Sequence, residues 1–178
     1  FTLQYIYDFG TAEMKEMGLA ASYLDYLGTS DMSAAEVKLA FYNLACNYRI
    51  SASKDRVAVG LNGLAENMPK AMELLEKVLA DAQPNKEAYD GLVDDILRAR
   101  LNDKADQQAN FRRLQTYTFY GANNPSNNIL GEAELRSMAP EALLQRISQL
   151  SAMEHRVLYY GPLGMDEVSS TVASLHKV

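Results

Sequence analysis

His155, His176 and Cys46 are the side chains of this 178-residue chain best suited to metal binding or nucleophilic catalysis. A zinc site needs at least three good donors, usually His or Cys, with carboxylates assisting. Two ligands on one helix sit three or four residues apart so that both point the same way. No two of these three residues have that spacing, so no metal site is expected. A Ser/His or Cys/His mechanism fares no better. His155 precedes an apolar run, His176 lies near the end of the sequence, and neither stands in a Gly-x-Ser-x-Gly setting. Cys46 closes the apolar segment Ala40 to Cys46, which reads as helix. A buried, inert thiol is expected there, because a reactive one needs exposure and positive neighbours. Gly60-Leu61-Asn62-Gly63 lacks both GxGxxG and GxxxxGK, and a hairpin-to-helix connection accounts for its glycines. No residue is assigned a catalytic role.

The charge pattern narrows the partners. A net charge of −6 argues against nucleic acid, which is bound through a basic face. Arg98, Arg100, Lys104, Arg112 and Arg113 are interleaved with Asp94, Asp95, Asp103 and Asp106, and mixed signs of this kind mark a solvated helix face. No apolar run approaches the ~20 residues that span a bilayer. Met14, Met17, Met68, Met72 and Met138 read as core fillers.

The elements that must position these groups follow from periodicity. Phe1, Leu3, Tyr5, Tyr7 and Phe9 alternate with Thr2, Gln4, Ile6 and Asp8, the pattern of a half-buried strand. Gly10-Thr11 breaks it. From Glu13 to Leu27 the period becomes helical, with Leu19, Ala20, Tyr23, Leu24 and Leu27 on one stripe. Gly28 is placed to end that helix in the left-handed conformation. Ser33-Ala34-Ala35-Glu36 is a capping box opening a second helix. Tyr48 to Ser53 and Arg56 to Leu61 form a hairpin candidate around Lys54-Asp55. Leu64 to Leu79 predicts a helix with Pro69 in its first turn. Pro84 to Gly121 is helical throughout, with polar Arg100 to Asp106 as a kink or break, and Asn123 to Asn128 predicts a loop. Short helices around Glu132 to Met138 and Pro140 to Leu150, a strand at Val157 to Tyr160 and a helix from near Asp166 complete the order. Helical blocks between strands of one sheet predict a two-layer α+β domain, a mostly antiparallel sheet packed against several helices.

Strand, Gly10, and a helix carrying Gly18-Leu19-Ala20 that runs to Gly28-Thr29 together resemble the opening of a peptidase domain of the pitrilysin/insulinase family of zinc metallopeptidases. The order and spacing of the later elements extend the resemblance over the whole chain. It implies the pitrilysin/processing-peptidase-like metallohydrolase fold. In catalytic members the opening helix bears His-x-x-Glu-His. Aligned from Gly18, the two His and the Glu fall on Ala21, Asp25 and Leu24; aligned back from Gly28-Thr29 they fall on Leu19, Tyr23 and Ser22. The family's third ligand, a Glu on a later helix, has Asp95 in its place, within Tyr89 to Ile96. Neither register contains a His.

The resemblance therefore implies a non-catalytic domain of the C-terminal half, residues 1–178 forming a single domain cut from a larger multidomain peptidase. Its cofactor would be absent from this chain, with Zn in the catalytic half of the parent. That parent is expected to be a zinc metalloendopeptidase. The partners implied are the catalytic half, in the same or a paired chain, and a peptide substrate held in the chamber between the halves. The family's Arg/Tyr pair belongs to a later domain, so no residue is carried over for it. The competing expectation is a purely structural or interaction domain in a larger assembly. A bacterial envelope or periplasmic setting is expected for either.

Overall fold

The first strand, β1 (Thr2–Tyr7), buries Leu3, Tyr5 and Tyr7 as its alternation predicts, and buries Ile6 as well. β1 is central: it pairs antiparallel with β3 (Val57–Gly63) on one side and β4 (Arg156–Tyr160) on the other. With β2 (Cys46–Ala52) paired to β3, the sheet runs β2-β3-β1-β4, antiparallel throughout. The computed structural model describes residues 1–124 and 127–176. Among these, eight α-helices accompany the four strands, and the chain divides into two compact units, Phe1–Pro84 with the segment from Pro140 onward, and Asn85–Ala139.

In the first unit the register stacks Leu3 with Leu61, Tyr5 with Val59 and Tyr7 with Val57. Side chains alternate across a strand, so these residues share one face, and helices cover it. α1 (Met17–Leu24) and α3 (Met68–Asp81) lie against the sheet, with α7 (Pro140–Ser148) packed on both and α8 (Met165–Leu175) on α3. The fully buried side chains of Met17, Leu24, Met68, Met72 and Leu75 fill the layer between. The free edges of the sheet are β2 and β4.

Several local expectations need correction. The opening helix is shorter than its periodicity predicts, Met17–Leu24 rather than Glu13 to Leu27. Residues before it are held in turns, with Glu13 Oε2 accepting from the Gly10 amide at 2.9 Å. Gly28 does not adopt positive φ; it is required sterically, since a Cβ there would lie 2.1 Å from the Met32 carbonyl oxygen. Gly10 is similarly constrained by the hairpin tip, 2.3 Å from a Cβ to the Ser53 carbonyl oxygen. Cys46 is not helical. The second helix, α2 (Ala34–Asn43), stops earlier, Ala45 turns the chain with φ 48°, and Cys46 begins β2. The α2 capping box forms as expected, Ser33 Oγ accepting from the Glu36 amide and Glu36 Oε2 from the Ser33 amide at 2.7 Å.

The second unit contains α4 (Lys86–Ala105), α5 (Gln107–Tyr120) and α6 (Glu132–Ser137). Asp106 makes the break expected in the polar stretch. Its backbone leaves the helical region, and its Oδ1 caps α5 by accepting from the Ala109 amide at 2.6 Å. Tyr89 donates to the Leu135 carbonyl at 2.5 Å, and Arg100 to that of Leu130 at 2.8 Å, tying α4 to the segment that follows α5. The loop expected over 123–128 falls partly on 125–126, outside the described residues.

Candidate functional site

Metal ligands on a helix must converge on open space. In α1 that face belongs to the core: Ala21 and Leu24 are buried, Leu24 completely, and only Asp25, the residue capping the helix, is exposed. In the other register Leu19 and Tyr23 are buried, and exposed Ser22 donates its hydroxyl to the Gly18 carbonyl. Neither trio shares an open face. Asp95 belongs to the other unit, exposed on α4 and 3.8 Å from Arg98. Among the described residues no group of three His, Cys, Asp or Glu side chains is arranged to hold a metal. The interleaved charges behave as a solvated face, Arg113 reaching Asp103 at 3.2 Å and both exposed.

Asp25 instead lines a groove of about 760 Å³ beside β2, with Lys38, Phe41, Tyr42, Cys46 and Tyr48. Asp25 is exposed but partly shielded by this wall, and that desolvation raises its carboxyl above the ordinary value, opposed by the positive charges of Lys38 and Arg49. The rings of Phe41 and Tyr48 pack at 4.8 Å, and Tyr42 stands 79% exposed at the rim. Burial, then the charge of Asp25, pushes the Tyr48 hydroxyl up to about 12. Burial also raises the Cys46 thiol, so it stays protonated; the sequence reading of an inert thiol stands although its element was misassigned. A thiol in this state is a poor nucleophile. The groove has aromatic walls and the unpaired edge of a strand, which suit holding an extended chain rather than cleaving it.

A second cluster joins residues far apart in the sequence. His176, just past α8, approaches His155, just before β4, with Nε2 to Nε2 at 2.8 Å. His176 Nδ1 is 2.8 Å from Glu76 Oε1 on α3, and His155 Nδ1 is 2.7 Å from the Met153 carbonyl oxygen. Tyr5 donates to the same Glu76 oxygen at 2.9 Å and stacks on His176, with ring centroids 4.1 Å apart. Burial first, and the Glu76 carboxylate second, hold the Tyr5 and Tyr7 hydroxyls well above the usual tyrosine range. A cavity of about 270 Å³ adjoins the cluster, bounded by Tyr7, Glu76, Ser148, Ser151, Leu175 and His176. Its serines donate to backbone carbonyls rather than to an imidazole. All four ring nitrogens of the two histidines are engaged, which leaves no lone pair for activating a nucleophile. Helical spacing could not reveal this pair, since three separate elements bring it together. The only sequence signal was the alternation that turns Tyr5 and Tyr7 inward.

No protein-family model and no curated protein matches the chain. Solved structures do. Over 98% of its length it is similar to the periplasmic protease PqqL from Escherichia coli, with a TM-score of 0.77 and 13% identity. It is similar over 98% to pitrilysin, at 0.67 and 15%. Over 82% it is similar to an inactive peptidase domain from Pseudomonas fluorescens, at 0.65 and 15%. The chain spans 20% of PqqL, 20% of pitrilysin and 37% of the Pseudomonas chain. The fold is that of a pitrilysin-like peptidase domain.

Proposed function

We propose that this chain is a non-catalytic domain of a zinc-dependent metallopeptidase, one that helps to enclose and bind peptide substrate while hydrolysis takes place in another half. The observation that carries the reading is the loss of the ligand set from a peptidase fold. The helix that would present His-x-x-Glu-His instead turns Ala21 and Leu24 into the core. The small share of each similar peptidase that the chain spans supports a partner half, in the same or a paired chain, that holds the zinc. A periplasmic or cell-envelope setting belongs to the same proposal.

Peptide would lie in the groove lined by Asp25, Tyr42 and Tyr48 and add a strand to the free edge of β2, its main chain pairing while aromatic walls take side chains. Hydrogen exchange of the chain with and without an unstructured peptide tests this. Slower exchange along β2, weakened in a Tyr42→Ala variant, is expected. Unchanged β2 exchange at saturating peptide would favour the interaction-only reading, a domain that supports an assembly without touching substrate.

A further inference from the structure

The histidine pair imposes a proton count. The Met153 carbonyl can only accept, so His155 Nδ1 must carry a hydrogen. Glu76 Oε1 accepts from Tyr5 and faces His176 Nδ1, so that nitrogen carries one too when the carboxylate is ionised. Both Nε2 atoms would then be bare lone pairs, facing each other at 2.8 Å. A single proton between them turns this repulsion into a charge-assisted hydrogen bond, and the resulting positive charge is balanced by Glu76. Were Glu76 itself protonated and donating to His176 Nδ1, the trio would hold the same number of protons. We propose that His155 and His176 share one proton through their Nε2 atoms, and that this proton is a pH-sensitive latch holding the C-terminal end of α8 against β1 and α3.

The surroundings favour a latch. Apart from Val168 and His176, α8 and the residue that follows it bury little, so the His176 side chain, 2% exposed, is the anchor of that end. The groups facing the pair are Tyr5 and Tyr7 from β1, Glu76 from α3, uncharged Ile147, Ser148 and Ser151 from the α7 segment, and Leu175 of α8. Tyr5 and Tyr7 keep their protons, because burial opposes their ionisation. Among the described residues that face the pair, the imidazoles and Glu76 are left to exchange the shared proton. Removing it sets two lone pairs against each other; adding a second sets two N–H groups against each other. The latch therefore closes in a window of pH and opens on either side. Opening removes the Leu175 and His176 wall from the 270 Å³ cavity.

The test is carried out on the 178-residue chain. Ring 15N spectra near neutral pH should show His155 Nδ1 protonated and a coupling between the two Nε2 nuclei across one proton. Amide exchange in α8, corrected for its intrinsic pH dependence, should pass through a minimum between about pH 5 and about pH 8. It should rise roughly tenfold as a charged hydrogen bond is lost. In His155→Gln the amide can donate to or accept from His176, so the minimum should flatten. Two neutral imidazoles without coupling while α8 is protected, or the same minimum in wild type and His155→Gln, would overturn the proposal.

Discussion

At the level of single residues, Ala21 and Leu24 of α1 are packing residues. Leu24 is completely buried, so Leu24→Ala should cost about 2–5 kcal/mol, read as a lower urea midpoint with unchanged slope. Restoring the motif by combining Ala21→His, Leu24→Glu and Asp25→His should destabilise the domain rather than create a zinc site. It would place a charge and an imidazole where the core closes. Asp25 makes a prediction of opposite sign. Its carboxyl is raised in the folded state by burial, so the native state binds more protons than the unfolded one and loses stability as pH climbs above 3.8, the ordinary value. Asp25→Asn should therefore match wild type in acid and exceed it in urea resistance at neutral pH. A gain that is equal at all pH values would contradict the burial argument. None of this was legible from Asp25 itself, whose groove depends on the turn at Ala45 and on β2. The inward stripe of Tyr23, Leu24 and Leu27 was legible, because helical periodicity reports core directly.

Elements were readable where local chemistry defines their ends. Ser33 with Glu36 began α2 as expected, and the polar run ending at Asp106 broke the long helical segment. Asp106→Ala removes the side-chain acceptor of α5 and should cost about 0.5–2 kcal/mol. The loss should appear first as faster amide exchange in the opening turn of α5, while the sheet stays protected. Element ends were misread where tertiary packing overrides local signals. Gly28 carries the sequence mark of a left-handed helix end, yet its φ is not positive and its role is to admit the Met32 carbonyl oxygen. Cys46 follows an apolar helical pattern, yet the chain reverses at Ala45 to start the edge strand. The His155–His176 pair belongs to the same class, since proximity made by three elements leaves no period in the sequence.

For the whole molecule, the sheet order gives the two edges different surroundings. β2 borders the aromatic groove, while β4 presents exposed Leu158 and Tyr160. β1, the strand most clearly marked in the sequence, is paired on both sides and offers no edge. The α+β class and the order of elements followed from periodicity and from resemblance to one peptidase family. The division into two compact units did not, because the helical periodicity read from Pro84 onward continues through Asn85 without a break in pattern. The chain has a pitrilysin-like peptidase fold, and among its described residues no group of three His, Cys, Asp or Glu is placed to hold a metal. Elemental analysis of the purified chain after incubation with zinc, alongside mass spectrometry of an added peptide, tests the proposal that the domain is non-catalytic. Far less than one zinc per chain and an intact peptide are expected. One zinc per chain that disappears in Asp95→Ala, together with chelator-sensitive cleavage, would contradict it.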